Sequence, residues 1–174
     1  MKIKDIKVGI LRIEGTNCEQ ESFDAFKQLH TNPEFVHLKQ LLHVDTNPQE
    51  ERTLADFHCL MIPGGFSSGD YIRAGAIFAA RMKSKLEKDI KQYVEEGYPI
   101  LGVCNGFQVL IELGLLPATE SIMSHVPQAC LHQNDSSRFE CRPSLLKHVN
   151  KGACTFTTNI DHEDVRLIPS AHAE

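Results

Sequence analysis

The sequence predicts an α/β fold: a doubly wound, mostly parallel sheet with helices on both faces, followed by a small antiparallel addition in the C-terminal third. Three observations lead there. Short apolar runs of strand length alternate with stretches of helical spacing as far as about residue 114. Glycines stand where those helices should stop, at Gly97 and Gly114. Residues 115 to 174 then show strand-like runs separated only by loops. Alternating strand and helix implies parallel strands with right-handed crossovers, and sites in that layout gather beyond the carboxyl ends of the strands.

The elements follow in order. Ile6 to Ile13 is a mostly apolar run ended by Glu14-Gly15-Thr16-Asn17, a loop with capping residues. Phe23, Phe26 and Leu29 recur at helical spacing, and Thr16 or Asn17, with Glu19 or Gln20 three residues on, reads as a capping box. Glu34–Leu38 is a second strand and Cys59–Ile62 a third, with a polar connector between them. Tyr71 to Met82 is Ala-rich, and Leu86, Ile90, Tyr93 and Val94 continue it as an amphipathic helix stopped at Gly97. Pro99–Val103 is the next strand, and Phe107, Leu110 and Ile111 mark the helix that ends at Gly114. Arg138–Cys141, Cys154–Thr157 and Val165–Ile168 are the strands expected in the antiparallel addition.

At 174 residues the chain suits one folding unit, 1–174, with a sizeable core. Lys and Arg total 18 against 23 Asp and Glu, a net charge of −5, which offers no electrostatic footprint for nucleic acid or an anionic membrane. The first residues lack the long apolar region of a signal peptide or membrane span, so a cytoplasmic protein is expected. Six scattered cysteines without a C-x-x-C pair should be reduced thiols, and the histidine pairs His37/His43 and His125/His132 form no tight cluster, so no metal is expected.

Gly102-Val103-Cys104-Asn105-Gly106 is G-x-C-x-G between a strand and a helix, the setting of a nucleophile elbow. Flanking glycines relieve crowding where the chain turns sharply, and the helix N-terminus presents unpaired N–H groups to a reactive thiolate. The plainer reading is a buried thiol beside a tight turn. A cysteine nucleophile needs a proton acceptor and a group that orients it. His172 and Glu174, two residues apart at the chain end, face one side if extended, so Glu174 can orient His172; a frayed tail is the plainer alternative. Pro63-Gly64-Gly65-Phe66-Ser67 follows another strand and should reach the same sheet edge. An N–H from Gly64 or Gly65, with that of Asn105, would then stabilise an oxyanion, unless the segment is an ordinary Pro-Gly loop.

Together these residues resemble the class I glutamine amidotransferases, which join a G-x-C-x-G elbow to a distant His-x-Glu on a flavodoxin-like sheet. Within that group the likeness is to the family of glutaminase subunits of phosphoribosylformylglycinamidine synthases. It is carried by Arg12-Ile13-Glu14-Gly15-Thr16-Asn17-Cys18-Glu19, by Pro63 through Tyr71, by Arg73-Ala74-Gly75-Ala76-Ile77, by Gly102 through Gln108, by Leu113 through Pro117 and by Ser137 through Arg142. The resemblance implies Cys104 as nucleophile, His172 as base and then acid, and Glu174 as orienting carboxylate. It implies Gly65 and Asn105 as the oxyanion hole, and Gly64 and Gln108 as residues that position glutamine. It also implies ammonia transfer to a large synthetase subunit that uses ATP and magnesium, a small bridging subunit, and no cofactor in this chain.

Two features depart from the family pattern. Ala173 stands where glycine is usual between the His and the Glu, and the chain stops at Glu174 where members usually continue, so either a truncated chain or a short form is expected. Two other functions compete: a cysteine hydrolase of the same broad class, which the His-x-Glu tail disfavours, and a catalytically silent subunit that only docks the synthetase.

Overall fold

In the computed structural model, which describes residues 1–174, period-two alternation on the strands decides what packs where. β1 (Lys7–Arg12) is followed by α1 (Glu19–Gln28), β2 (Asn32–His37), the short α2 (Leu38–Leu42), β3 (Cys59–Ile62), α3 (Ala76–Glu95), β4 (Ile100–Gly102) and α4 (Asn105–Leu113). The four strands form one sheet in the order β2-β1-β3-β4, and every pairing is parallel. Val8 and Ile10 of β1 and Cys59 and Met61 of β3 point to one face, where Phe23 and Phe26 of α1 cover them. Leu11, Leu60 and Ile62 point to the other, against Phe78, Met82 and Ile90 of α3 and Val109, Leu110 and Leu113 of α4. Both faces are therefore covered, which is why these strands read as continuous apolar runs rather than alternating ones.

The chain divides into two compact units, 1–130 and 131–174. The second is built on an antiparallel ribbon of β5 (Glu140–Lys147) and β6 (Val165–His172), with Cys141 opposite Ala171 and Leu145 opposite Leu167. The antiparallel addition is thus present, with longer strands than the sequence suggested. No helix of the chain is long and apolar enough to cross a membrane.

Three local expectations change. Cys154–Thr157 is not a strand: Thr155–Thr157 form a single 3-10 turn closed by Thr157 N–H donating to the Cys154 carbonyl at 3.1 Å. The capping box before α1 does not form, because Thr16 Oγ1 accepts from the Ile13 N–H at 3.1 Å while Thr16 makes a bridge with Gly65; Cys18 becomes the N-cap. The second strand ends at His37, one residue early. There the His37 ring accepts from the Lys39 N–H and Gln40 reaches back to the His37 N–H at 2.8 Å, which starts α2 inside the expected connector.

Candidate active site

Close packing of α4 on β3 forces the turn that carries Cys104. A Cβ placed on Gly106 would collide with the Ile62 carbonyl oxygen of β3, so only glycine lets the first turn of the helix rest on that strand. With Val103 N–H held by the Ile62 carbonyl at 3.2 Å and Gly106 N–H by the Val103 carbonyl at 2.9 Å, reversal within so few residues falls on Cys104. It adopts φ 54° and ψ −116° and is the N-cap of α4. A non-glycine residue in such a conformation costs about 1–3 kcal/mol and persists only where its surroundings hold it there. The side chain is exposed, so the thiol is displayed rather than buried beside the turn.

The Pro63-Gly64-Gly65 loop after β3 meets this elbow. A Cβ on Gly64 would stand 3.2 Å from the Cys104 Cβ and 3.5 Å from the Cys18 sulfur. The loop is tied on one side to residues 14–18: Asn17 and Cys18 N–H groups donate to the Gly64 carbonyl, Phe66 N–H to Gly15 and Ser68 N–H to Glu14. This bridging holds Gly65 at φ 133°, and a side chain there would lie 2.5 Å from the Asn17 nitrogen. The N–H groups of Gly65 and Asn105 donate to no other protein group, and each belongs to a segment that borders Cys104.

On its other side the loop is joined to the elbow through one side chain. Asn105, 2% exposed, accepts from the Ser67 hydroxyl at 2.6 Å and from the Ser67 N–H at 3.3 Å. Its amide nitrogen donates to Asp70 Oδ1 at 3.2 Å and to Gln108 Oε1 at 3.1 Å. Cys104, Gly64, Gly65, Asn105 and Gln108 are thus brought together within the first unit. Ser67 and Asp70, which the sequence reading did not assign, join them, and so does Cys18. Burial pushes the Cys18 thiol up from its ordinary value, with the neighbouring Glu21 and Cys104 acting in the same direction. The only sequence signal for these three was their place inside the two strings that carry the family likeness, because side-chain bonds between segments nearly forty residues apart leave no periodicity.

His172 and Glu174 are carried by the second unit. His172 closes β6 opposite Glu140, with its side chain exposed, and its carbonyl accepts from Asn134 Nδ2 at 2.8 Å. The Asn134 N–H donates to the Ala173 carbonyl at 2.9 Å, so this one residue ties down the chain on both sides of the His-Ala peptide. Glu174 follows just past the strand and is partly buried. The chain is thus extended as far as His172.

Over its full length the chain is 52% identical to a protein of Archaeoglobus fulgidus named phosphoribosylformylglycinamidine synthase subunit PurQ, and it spans 64% of that relative. A protein of the same name from Picrophilus torridus is 41% identical over 95% of the chain, which spans 60% of it. The chain thus covers less than two thirds of the length of these curated relatives. Among solved structures, a chain of PurLQS from Thermotoga maritima matches with a TM-score of 0.73 at 30% identity, covering 97% of this chain and 67% of that one. The family profile described as the CobB/CobQ-like glutamine amidotransferase domain matches residues 5–174, and the chain belongs to that family.

Proposed function

We propose that the chain hydrolyses glutamine to glutamate and ammonia, and that it does so as the glutaminase part of a phosphoribosylformylglycinamidine synthase. The observation that carries this reading is Cys104, exposed on a strained strand-to-helix turn beside two unengaged N–H groups from different segments. That pairing suits attack on an amide carbonyl, where negative charge develops on the oxygen as the sulfur adds.

In the first step His172 takes the Cys104 proton, the resulting thiolate adds to the carboxamide carbon of glutamine, and the N–H groups of Gly65 and Asn105 receive the developing oxyanion. His172 delivers a proton to the departing nitrogen, which leaves as ammonia and a glutamyl thioester remains. A water then gives its proton to His172 and attacks the thioester, releasing glutamate and regenerating the thiol. Glu174 orients the imidazole. Gly64, with no side chain beside the Cys104 Cβ, leaves room for the substrate. Gln108, whose oxygen is taken by Asn105, has its amide nitrogen left to bind glutamine.

The names of the two relatives and of the structural neighbour support the synthase assignment. On that reading ammonia passes to a large synthetase subunit, which holds the ATP and magnesium and converts formylglycinamide ribonucleotide to the amidine, with a small bridging subunit completing the assembly. All six cysteines are free, as suits a reducing cytoplasm.

The test is Cys104→Ala in the assembled synthase. Glutamine-dependent synthesis should vanish while synthesis from added ammonia persists; glutamate release that survives the substitution removes Cys104 from the reaction. Glutamate release by the unsubstituted chain should also rise when the synthetase is added, and equal turnover with and without it would contradict coupling.

A further inference from the structure

We propose that Ser67 is a positioning residue of the glutaminase reaction: acting through the Asn105 side chain, it sets the gap between the two N–H groups of the oxyanion hole. The inference rests on the glutaminase reading above and adds a residue to it.

The two donors sit on separate pieces of chain. The Asn105 N–H belongs to the first residue of α4, whereas that of Gly65 belongs to the loop after β3. An oxyanion hole works only if both donors point at one spot before the charge forms, so their mutual distance has to be fixed in advance. Backbone bonds from Asn17, Cys18, Phe66 and Ser68 fix the loop to residues 14–18, but those residues belong to the segment after β1 and not to the elbow. Every hydrogen bond between residues 64–70 and the elbow is made by the Asn105 side chain, whose Oδ1 accepts from the Ser67 hydroxyl and N–H and whose Nδ2 donates to Asp70.

Of these the Ser67 hydroxyl makes the shortest, at 2.6 Å, between two groups each 2% exposed. Asp70 has a second part. By accepting from the amide nitrogen at 3.2 Å it decides which way the amide faces, leaving Oδ1 toward Ser67. Asp70 Oδ1 also accepts from the Gly75 N–H at 3.4 Å, which anchors it to the start of α3. Asn105 therefore has two separable duties, a backbone N–H for the substrate oxygen and a side chain that gauges where Gly65 stands. Ser67 lies two residues beyond Gly65, too near in the chain for the loop to absorb a change unnoticed.

Ser67→Ala removes the hydroxyl and retains the weaker N–H contact, so the loop relaxes without being released. In the assembled synthase, glutamine-dependent kcat should fall about 10- to 100-fold, the scale of a donor misplaced rather than deleted, with KM for glutamine within about twofold. Alkylation of Cys104 by iodoacetamide builds no oxyanion and should proceed at the unsubstituted rate. Asp70→Asn keeps an oxygen acceptor and tolerates the left-handed φ of 50° there, so it should retain activity where Asp70→Ala loses it.

The role is overturned if Ser67→Ala keeps its kcat, or if kcat and alkylation fall together, which would mean a collapsed site. Should Ser67→Ala not fold, the Asp70 pair decides: equal kcat in the asparagine and alanine variants refutes the gauge. Cys104→Ala run alongside separates the two levels. If it still hydrolyses glutamine, the glutaminase reading itself is wrong; if it is inactive while Ser67→Ala is normal, only the positioning role falls.

Discussion

Replacing Gly106 by alanine tests whether contact between α4 and β3 shapes the elbow. Two effects oppose each other. Gly106 is the second residue of α4, and alanine in a helix is favoured over glycine by up to about 1 kcal/mol. Against this, the added Cβ collides with the Ile62 carbonyl oxygen and lies 2.7 Å from the carbonyl carbon, and neither can swing aside as a side-chain tip would. The helix or the strand has to move, which costs about 3 kcal/mol or somewhat more. The collision wins, leaving a net loss of about 2 kcal/mol, or a fall of about 4–8 °C in Tm for a chain of this size. Urea unfolding of the full chain, followed by circular dichroism, measures it as a lower midpoint at unchanged slope. Gly97→Ala is the comparison, because a Cβ there meets nothing within 4 Å and only the φ of 87° opposes it, about 1 kcal/mol. A Gly106→Ala protein as stable as the unsubstituted chain, or no less stable than Gly97→Ala, would show that α4 does not rest on β3 as described.

Burial pushes the Cys59 thiol up from 9.0 to about 11, so in the folded chain it stays neutral where the unfolded chain ionises. Its contribution to stability is complete below about pH 9 and is lost as pH rises toward about 11, amounting to at most about 3 kcal/mol; Cys59→Ala should flatten the decline in urea midpoint over that interval, and an unchanged decline would exclude this thiol as its source. Cys18 is also raised, chiefly by shielding from solvent, so in a Cys104→Ala protein its alkylation, followed by peptide mapping, should lag that of an unhindered thiol at neutral pH and accelerate only above the ordinary thiol range; rapid labelling at neutral pH would contradict it. Asn134→Ala removes the side-chain bonds to the Arg138 and His172 carbonyls, and the end of β6 should open more readily by about 1 kcal/mol, read as roughly fivefold faster amide exchange near residue 172. Exchange that does not change would mean that the ribbon alone holds the tail.

Much of this architecture was legible in the order of residues because its causes are local. Strand length, apolar continuity and a helix-stopping glycine are properties of neighbours in the chain, so β1, β3, α3, β4 and α4 were found nearly in place and the parallel sheet followed from their alternation. The elbow was legible for the same reason, since two glycines around a cysteine between strand and helix have few other uses. Where a residue had two possible partners, nearness in sequence misled: Thr16 carried a sound capping signal for α1, yet it serves the bridge to Gly65 instead. The short α2 escaped notice because one turn started by a histidine ring has no periodicity to detect.

Folding alone could decide how the site is held together. That Gly64 lies against Cys104, and that Asn105 joins the elbow to Ser67 and Asp70, depends on residues 35 to 40 positions apart meeting at the carboxyl edge of one sheet. Backbone hydrogen-bonding needs are met within an element and leave a pattern along the chain, whereas a buried amide satisfied from a distant loop leaves none. A nucleophile could accordingly be proposed at Cys104 from its neighbours, while the side-chain link between the Gly65 loop and Asn105 became visible only in three dimensions.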